Sequence, residues 1–157
     1  MPQILTYRDE WRAEFERLNR EWIESWFTLE DADRDTFNDP VGKILDPGGQ
    51  IFFVLDGGQV LGTCAVLRHS ADVHEIAKMA VAPGARGRGY GDLLMEAAVA
   101  FSRGVGTRRV VIVSNTRLGP AIRLYQKHGF VRVPLEADQR YARADIQLER
   151  VLEGPRG

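Results

Sequence analysis

The stretch His74 to Leu94, H-E-I-A-K-M-A-V-A-P-G-A-R-G-R-G-Y-G-D-L-L, constrains this 157-residue chain more than any other. Its first half, His74 to Val81, is mostly apolar and reads as a strand. Pro83 ends it, because proline has no N–H to give to a ladder. A doubly cationic, glycine-rich turn follows, Arg86-Gly87-Arg88-Gly89-Tyr90-Gly91. Leu93, Leu94, Met95, Ala97, Ala98 and Phe101 then mark the apolar face of a helix. Strand, cationic turn and helix start together predict an anion site. Backbone N–H groups converge there, the helix dipole favours negative charge, and the missing Cβ atoms admit a phosphate.

Two common phosphate loops do not fit these letters. A P-loop requires Gly-Lys-Ser/Thr after its spacer, and no Lys follows these glycines. The dinucleotide fingerprint G-x-G-x-x-G would place its last glycine at Asp92 counted from Gly87, or at Leu94 counted from Gly89. What the chain carries is Arg-x-x-Gly-x-Gly, from Arg86 to Gly91, behind a strand that ends in Ala80-Val81.

The length suits a single domain, 1–157, with its own core and a frayed tail from about Glu153 to Gly157. A formal net charge of −1 argues against bulk electrostatic capture of nucleic acid. Cys64 is the sole cysteine, so no intramolecular disulfide forms, and the three histidines are scattered without ligand spacing; no metal is expected. No apolar run reaches the roughly 18 residues of a membrane span, and the chain is expected to be cytoplasmic.

Read in order, Gln3 to Tyr7 is a short strand. Trp11, Phe15, Leu18, Trp22 and Trp26 recur every three or four residues and predict a long amphipathic helix whose stripe is core. Thr28 with Asp31 resembles a capping box, which predicts a second, acidic helix over residues 28–39. Its carboxylates read first as a solvated face and second as an attractor for a cation. Ile51 to Leu55 and Val60 to Leu67 form a hairpin around Asp56-Gly57-Gly58, and Gly62 marks a bulge or a close backbone approach. After the central strand and helix, Arg109 to Ser114 is a strand apolar enough to be covered on both faces. Gly119-Pro120 opens a helix that Gly129 caps, Phe130-Val131 begins a strand, and Tyr141 to Leu148 is the last one. The order is β-α-α-β-β-β-α-β-α-β-β.

The Arg86–Gly91 loop behind E-I-A-K-M-A-V-A-P resembles the acyl-CoA pyrophosphate loop of the GNAT family of N-acetyltransferases. A second segment, Asn115, then Ala121, then Leu124-Tyr125-Gln-Lys-His-Gly129-Phe130, is similar to the family's N-x(several)-A-x-x-L-Y-x-x-x-G-F, and the element order agrees over nearly the whole chain. The resemblance implies an α/β (α+β) fold: a mixed, mostly antiparallel sheet with a central splayed parallel strand pair and helices on both faces. It implies acetyl-CoA as acyl donor. Met79, Ala80 and Val81 would pair with the pantetheine, and N–H groups of Arg86, Gly87, Arg88, Gly89, Tyr90 and Gly91 would hold the pyrophosphate. Asn115, Ala121 and Tyr125 would lie beside the cofactor, Asn115 either bonding it or ordering the last helix.

The implied reaction is transfer of acetyl to a primary amine of a small molecule or peptide. Amines are largely protonated at neutral pH, with pKa values of about 10.4 for a lysine type and about 7.7–8.0 for an α-amine. The resemblance points to Glu75 as base through a water, with a burial-raised pKa to match, or equally as a strand-end partner in a salt bridge. His74 is the rival base but points to the opposite face of the strand. The Val81 N–H would stabilise the oxyanion, and Tyr125 would serve the leaving thiolate. An alternative is an acyl-CoA-binding sensor without turnover. A homodimer is compatible with the family, and a longer acyl donor is not excluded.

Overall fold

A computed structural model describes residues 1–136 and 140–152. The chain runs β1 (Gln3–Thr6), α1 (Arg12–Trp26), α2 (Asp31–Asn38), β2 (Gln50–Asp56), β3 (Gln59–Arg68), β4 (Val73–Val81), α3 (Tyr90–Gly104), β5 (Arg109–Ser114), α4 (Gly119–Lys127), β6 (Val131–Val133) and β7 (Ile146–Val151). One sheet takes the order β1-β2-β3-β4-β5-β7-β6. Its ladders are antiparallel except β4 with β5, which is parallel. This is the mixed α/β sheet that the resemblance implies. The 153–157 tail lies outside the described residues.

Helices cover both faces. Leu94, Met95 and Ala98 of α3 and Tyr125 of α4 pack with Ile76, Val110, Ile112 and Leu148 on one face. Phe15, Leu18 and Ile23 of α1 and Phe37 of α2 pack with Ile51, Phe53 and Ala65 on the other. The tryptophan stripe is therefore only partly core. Trp11 lies in a 3-10 turn before α1, its ring 5.4 Å from Phe53, while Ile23 takes the inward place next to Trp22, and Trp26 is 46% exposed.

Two expectations need correction, and one element was not foreseen. The second helix is capped by Glu30 and Asp33, which bond each other's backbone, not by Thr28 and Asp31. A single π turn, Val41–Leu45, follows it, without a clear sequence signal. The last strand begins at Ile146, not Tyr141, because residues 141–145 are held as a loop: the Asn115 amide donates to the Arg143 carbonyl at 2.7 Å, and Asp145 accepts from the Thr116 N–H at 2.8 Å. Gly62 does lie beside a bulge, and a Cβ there would stand 3.2 Å from Leu94 Cδ1.

The central feature is the short parallel ladder. β4 and β5 pair at Val73↔Arg109, His74↔Val110 and Glu75↔Val111, and the register ends there. β5 continues to Ser114 against β7, while β4 bulges: Thr63 faces Ala80 and Ala65 faces Ala77, so Lys78 and Met79 together oppose Cys64. The extra residue bends the strand. Lys78 takes φ +54°, a left-handed conformation costing a side-chain-bearing residue roughly 1–2 kcal/mol.

What holds the bulge is charge. The buried Lys78 ammonium bonds the fully buried Asp33 carboxylate and, at 3.0 Å, the Tyr141 hydroxyl. Arg143 grips the same carboxylate with two bonds of 2.8 and 2.7 Å and reaches Glu30 at 3.3 Å. α2, β4 and the loop before β7 thus meet on one anion. Burial alone would raise the Asp33 carboxyl, but Arg143 and Lys78 hold it down, to about 2.

The Asp33 pKa is depressed, so its contribution to stability is complete above the ordinary value of 3.8 and is lost as pH falls through about 2. Asp33→Asn should lose about 3–5 kcal/mol in urea unfolding at pH 7, because it strands two buried cations. It should also flatten the stability profile between about pH 4 and pH 2. An unchanged urea midpoint would show that the cluster does not hold the fold.

Candidate active site

The gap between β4 and β5 exposes backbone. The Ala82 N–H donates to the Leu61 carbonyl at 2.9 Å, and Val81 sits opposite Gly62. Polar groups alternate in direction along a strand, so Val81 turns its N–H away from β3 and toward the gap. Ala80, facing Thr63, spends its backbone on β3. Of the trio Met79, Ala80 and Val81, the two flanking residues border the gap and Ala80 supports it from within the ladder.

The glycine-rich turn opens beside this edge. Gly87 and Gly89 adopt φ +82° and +84°, where a side chain would be strained, and an added Cβ would meet no atom within 4 Å. Arg86 and Arg88 are exposed, and Arg88 reaches only the Gly84 carbonyl at 3.4 Å. The N–H groups of Arg86, Gly87, Arg88 and Gly89 meet no acceptor among the described residues. Gly89 precedes α3, whose first-turn N–H groups are unpaired in the manner of any helix start. The Tyr90 ring turns inward, buried, and its hydroxyl donates to Asp56, so Tyr90 offers the turn only its backbone. Gly91 is required by packing: a Cβ would lie 2.9 Å from Leu124 Cδ2 on α4. Asp92 bonds His128 Nε2 at 2.8 Å and Lys127 at 3.0 Å. Those two hydrogen bonds lower its pKa, His128's first, and tie the start of α3 to the end of α4.

Across the gap, α4 carries Ala121 and Tyr125, one turn apart and both packed toward α3. Burial raises the Tyr125 phenol above its ordinary value of 10, and the neighbouring Cys64 adds to the effect. Its hydroxyl has no hydrogen-bond partner among the described residues. The Asn115 side chain is engaged within the protein: it donates to the Arg143 carbonyl and accepts from the Arg117 N–H at 2.8 Å. Of its two expected roles, the geometry matches the ordering of the chain before α4.

On the opposite face, Glu75 is buried at the floor of a cavity of about 440 Å³. Its Oε1 accepts both from Arg140, at 3.0 Å, and from His69 Nε2, at 2.7 Å, with the imidazole as donor. No hydrogen bond to its Oε2 is found among the described residues. His74 lies on the other face, bonded to Ser102 at 2.8 Å and stacked on Phe101, and burial lowers its pKa. It is a core histidine.

Sequence reasoning did not find His69, Lys78 or Arg143, and it did not single out Arg140 or Tyr141. One signal was available. A lone Lys78 inside an apolar strand must be paired if buried. The acidic helix also reads differently: Asp33 is consumed by two cations, and Asp31 bonds Arg34 at 2.8 Å.

Cys64 is fully buried beside Tyr125, and burial pushes its thiol up to about 12. A thiol so placed is not a nucleophile. It should resist a thiol-specific chromogenic reagent at pH 8 and react stoichiometrically in denaturant. Fast labelling of the native protein would contradict its placement.

Residues 7–130 match the Acetyltransferase (GNAT) family. A mycothiol acetyltransferase of Corynebacterium glutamicum (strain R) is 32% identical over 80 residues, 51% of this chain and 27% of that protein. Another, from Pseudarthrobacter chlorophenolicus, is 34% identical over 93 residues, 56% of this chain and 29% of that protein. The chain thus spans less than a third of the length of these curated relatives. Among solved structures, a GNAT-family acetyltransferase from Staphylococcus aureus Mu50 superposes with TM-score 0.88 at 15% identity, covering 98% of this chain and 100% of that one. A phosphinothricin acetyltransferase from Sinorhizobium meliloti in complex with AcCoA gives TM-score 0.76 at 18% identity, covering 98% and 90%. At such identities these structures speak for the fold, and with the match over residues 7–130 the conclusion is plain: the chain belongs to the acetyltransferase (GNAT) family.

Proposed function

We propose that this protein transfers an acetyl group from acetyl-CoA to a primary amine by direct attack of the amine on the thioester. The observation that carries the reading is the run of unpartnered N–H groups over Arg86–Gly89, in open space, beside the outward-facing Val81. It fits a cofactor with a pyrophosphate at one end and amides along its arm. Acetyl-CoA supplies the thioester. Backbone donors of Arg86 to Gly91 hold the phosphates, and each charge-assisted bond contributes about 1.5–3 kcal/mol. Met79 and Val81 align the arm along the edge of β4.

The remaining steps fall to a few residues. Glu75 takes the proton of the attacking ammonium through a water. The amine nitrogen then bonds the acetyl carbon, its second proton passes to solvent, and the C–S bond breaks to release the CoA thiolate. The Val81 N–H faces the oxygen on which negative charge develops. The Tyr125 O–H donates a hydrogen bond to the departing sulfur. Full proton transfer from Tyr125 is unfavourable, because burial raises the phenol further above a thiol of pKa about 8.5. Tyr125 therefore stabilises a thiolate rather than quenching it. The buried, protonated Cys64 gives no support to an acyl-enzyme.

The test is CoA-thiol release against pooled amines: amino acids, polyamines, aminoglycosides, peptide N-termini and lysine peptides. Amine-dependent release supports the transferase. Acetyl-CoA binding without release from any pool would favour the alternative, an acyl-CoA sensor. Tyr125→Phe should lower kcat roughly 10- to 100-fold, the value of one hydrogen bond to a charged group, with the KM for acetyl-CoA nearly unchanged. Glu75→Gln should remove the acid limb of the kcat/KM profile. Persistence of that limb would place the base elsewhere.

A further inference from the structure

The cavity above Glu75 carries charge of both signs in a directional order. β4 and β5 run parallel toward the gap, so position along them measures distance from it. Val113 and Tyr141 line the end near the gap, Glu75 and Val111 the middle, and Arg109 the far end, while a second carboxylate in the lining, Glu136, bonds Gln147. The Glu75 Oε2 is open to a donor, as described above. Arg109 spends one nitrogen on Glu149, at 3.0 Å, and Arg140 one nitrogen on Glu75. A guanidinium has five N–H donors, so both arginines keep most of theirs for a ligand. Arg109 is about a third exposed and Arg140 half exposed, so neither is sealed by the protein.

We infer that this cavity is the acceptor site and that its ligand is a zwitterion: a small primary amine that also carries a carboxylate. The inference rests on the acetyltransferase reading for the role of the amine, and on the cavity alone for the charge pattern. The ammonium lies on the Glu75 side and points toward the gap. The carboxylate takes a two-pronged hydrogen bond from Arg109, with Arg140 beside it. Val111 pairs with Glu75, and Arg109 stands two residues back along β5, about 6–7 Å. Amine and carboxylate are therefore separated by a few bonds, as in an amino acid or a short peptide. The walls between them, Val73, Val111 and Val113, are apolar and suit an aliphatic body. A volume of about 440 Å³ holds such a molecule.

The experiment compares matched amines that differ only in the anionic group: amino acids and dipeptides, their carboxamides, and their phosphonate analogues. Both thiol release and calorimetric binding are measured, with wild type, Arg109→Gln, Arg109→Lys and Glu149→Gln. The expected result is a kcat/KM higher for the carboxylate than for the carboxamide by roughly 10- to 100-fold. Arg109→Gln should erase that preference through the KM for the carboxylate and leave the KM for acetyl-CoA unchanged. Arg109→Lys should recover part of it, and Glu149→Gln, which frees the guanidinium, should preserve it. Carboxamides turned over as well as carboxylates would overturn the inference while leaving the transferase intact. A phosphonate preference over the carboxylate would overturn the assignment of the anion. If no amine is acetylated yet carboxylates bind wild type and not Arg109→Gln, the site stands and the transferase reading fails. Absence of both turnover and carboxylate binding would overturn the inference.

Discussion

The ion cluster centred on Asp33 is the interaction on which the rest of the site depends. A strand that has paired with its parallel neighbour for three residues has every reason to go on pairing. β4 does not, because Lys78 is drawn out of the ladder to a buried carboxylate on α2. Arg143 closes on the same carboxylate from the loop before β7. The bulge, the gap and the loop that roofs the Glu75 cavity are consequences of one anion satisfied by two cations. Buried ion pairs are weak sources of net stability. Here the pair serves geometry: it holds a side-chain-bearing residue at φ +54° and keeps two strands apart.

The two sides of the gap then divide the chemistry. One side is backbone, with N–H groups over residues 86–89 that meet no acceptor among the described residues and the outward-turned Val81, suited to phosphates and amides. The other is side chain, with Glu75, Arg109 and Arg140 around a cavity. Tyr125 reaches the first side from α4, and its raised pKa favours donation of a hydrogen bond over loss of a proton. The tie from Asp92 to Lys127 and His128 fixes α4 against the start of α3, so turn and phenol move as one unit.

Much of this was legible in the chain, because its signals are local. Pro83, the glycines at 87, 89 and 91, and the apolar runs report on their own backbone, and those elements lie where the pattern places them. The hairpin at Gly57-Gly58 needs two left-handed residues, and glycine supplies both. The failures were non-local. Tyr141, Arg143 and Asp145 look like alternating strand residues, yet their partners are more than twenty-five residues away, in α2, β4 and the Asn115 turn. Trp26 keeps helical period with the stripe, but α1 runs out of sheet to cover it. Asp33 was one acid among several until Lys78 and Arg143 were seen to share it. The Glu75 partners were invisible for the same reason: His69 and Arg140 are brought to it by two separate loops.

The most direct test of the account is an amide-resolved NMR titration of the protein with acetyl-CoA. Saturable shifts are expected on the N–H groups of residues 79, 81 and 86–91, with Asn115 and the Glu75 cavity little affected. Absence of binding, or shifts centred in the cavity or on α1 and α2, would contradict the assignment of the gap and its turn as the cofactor site.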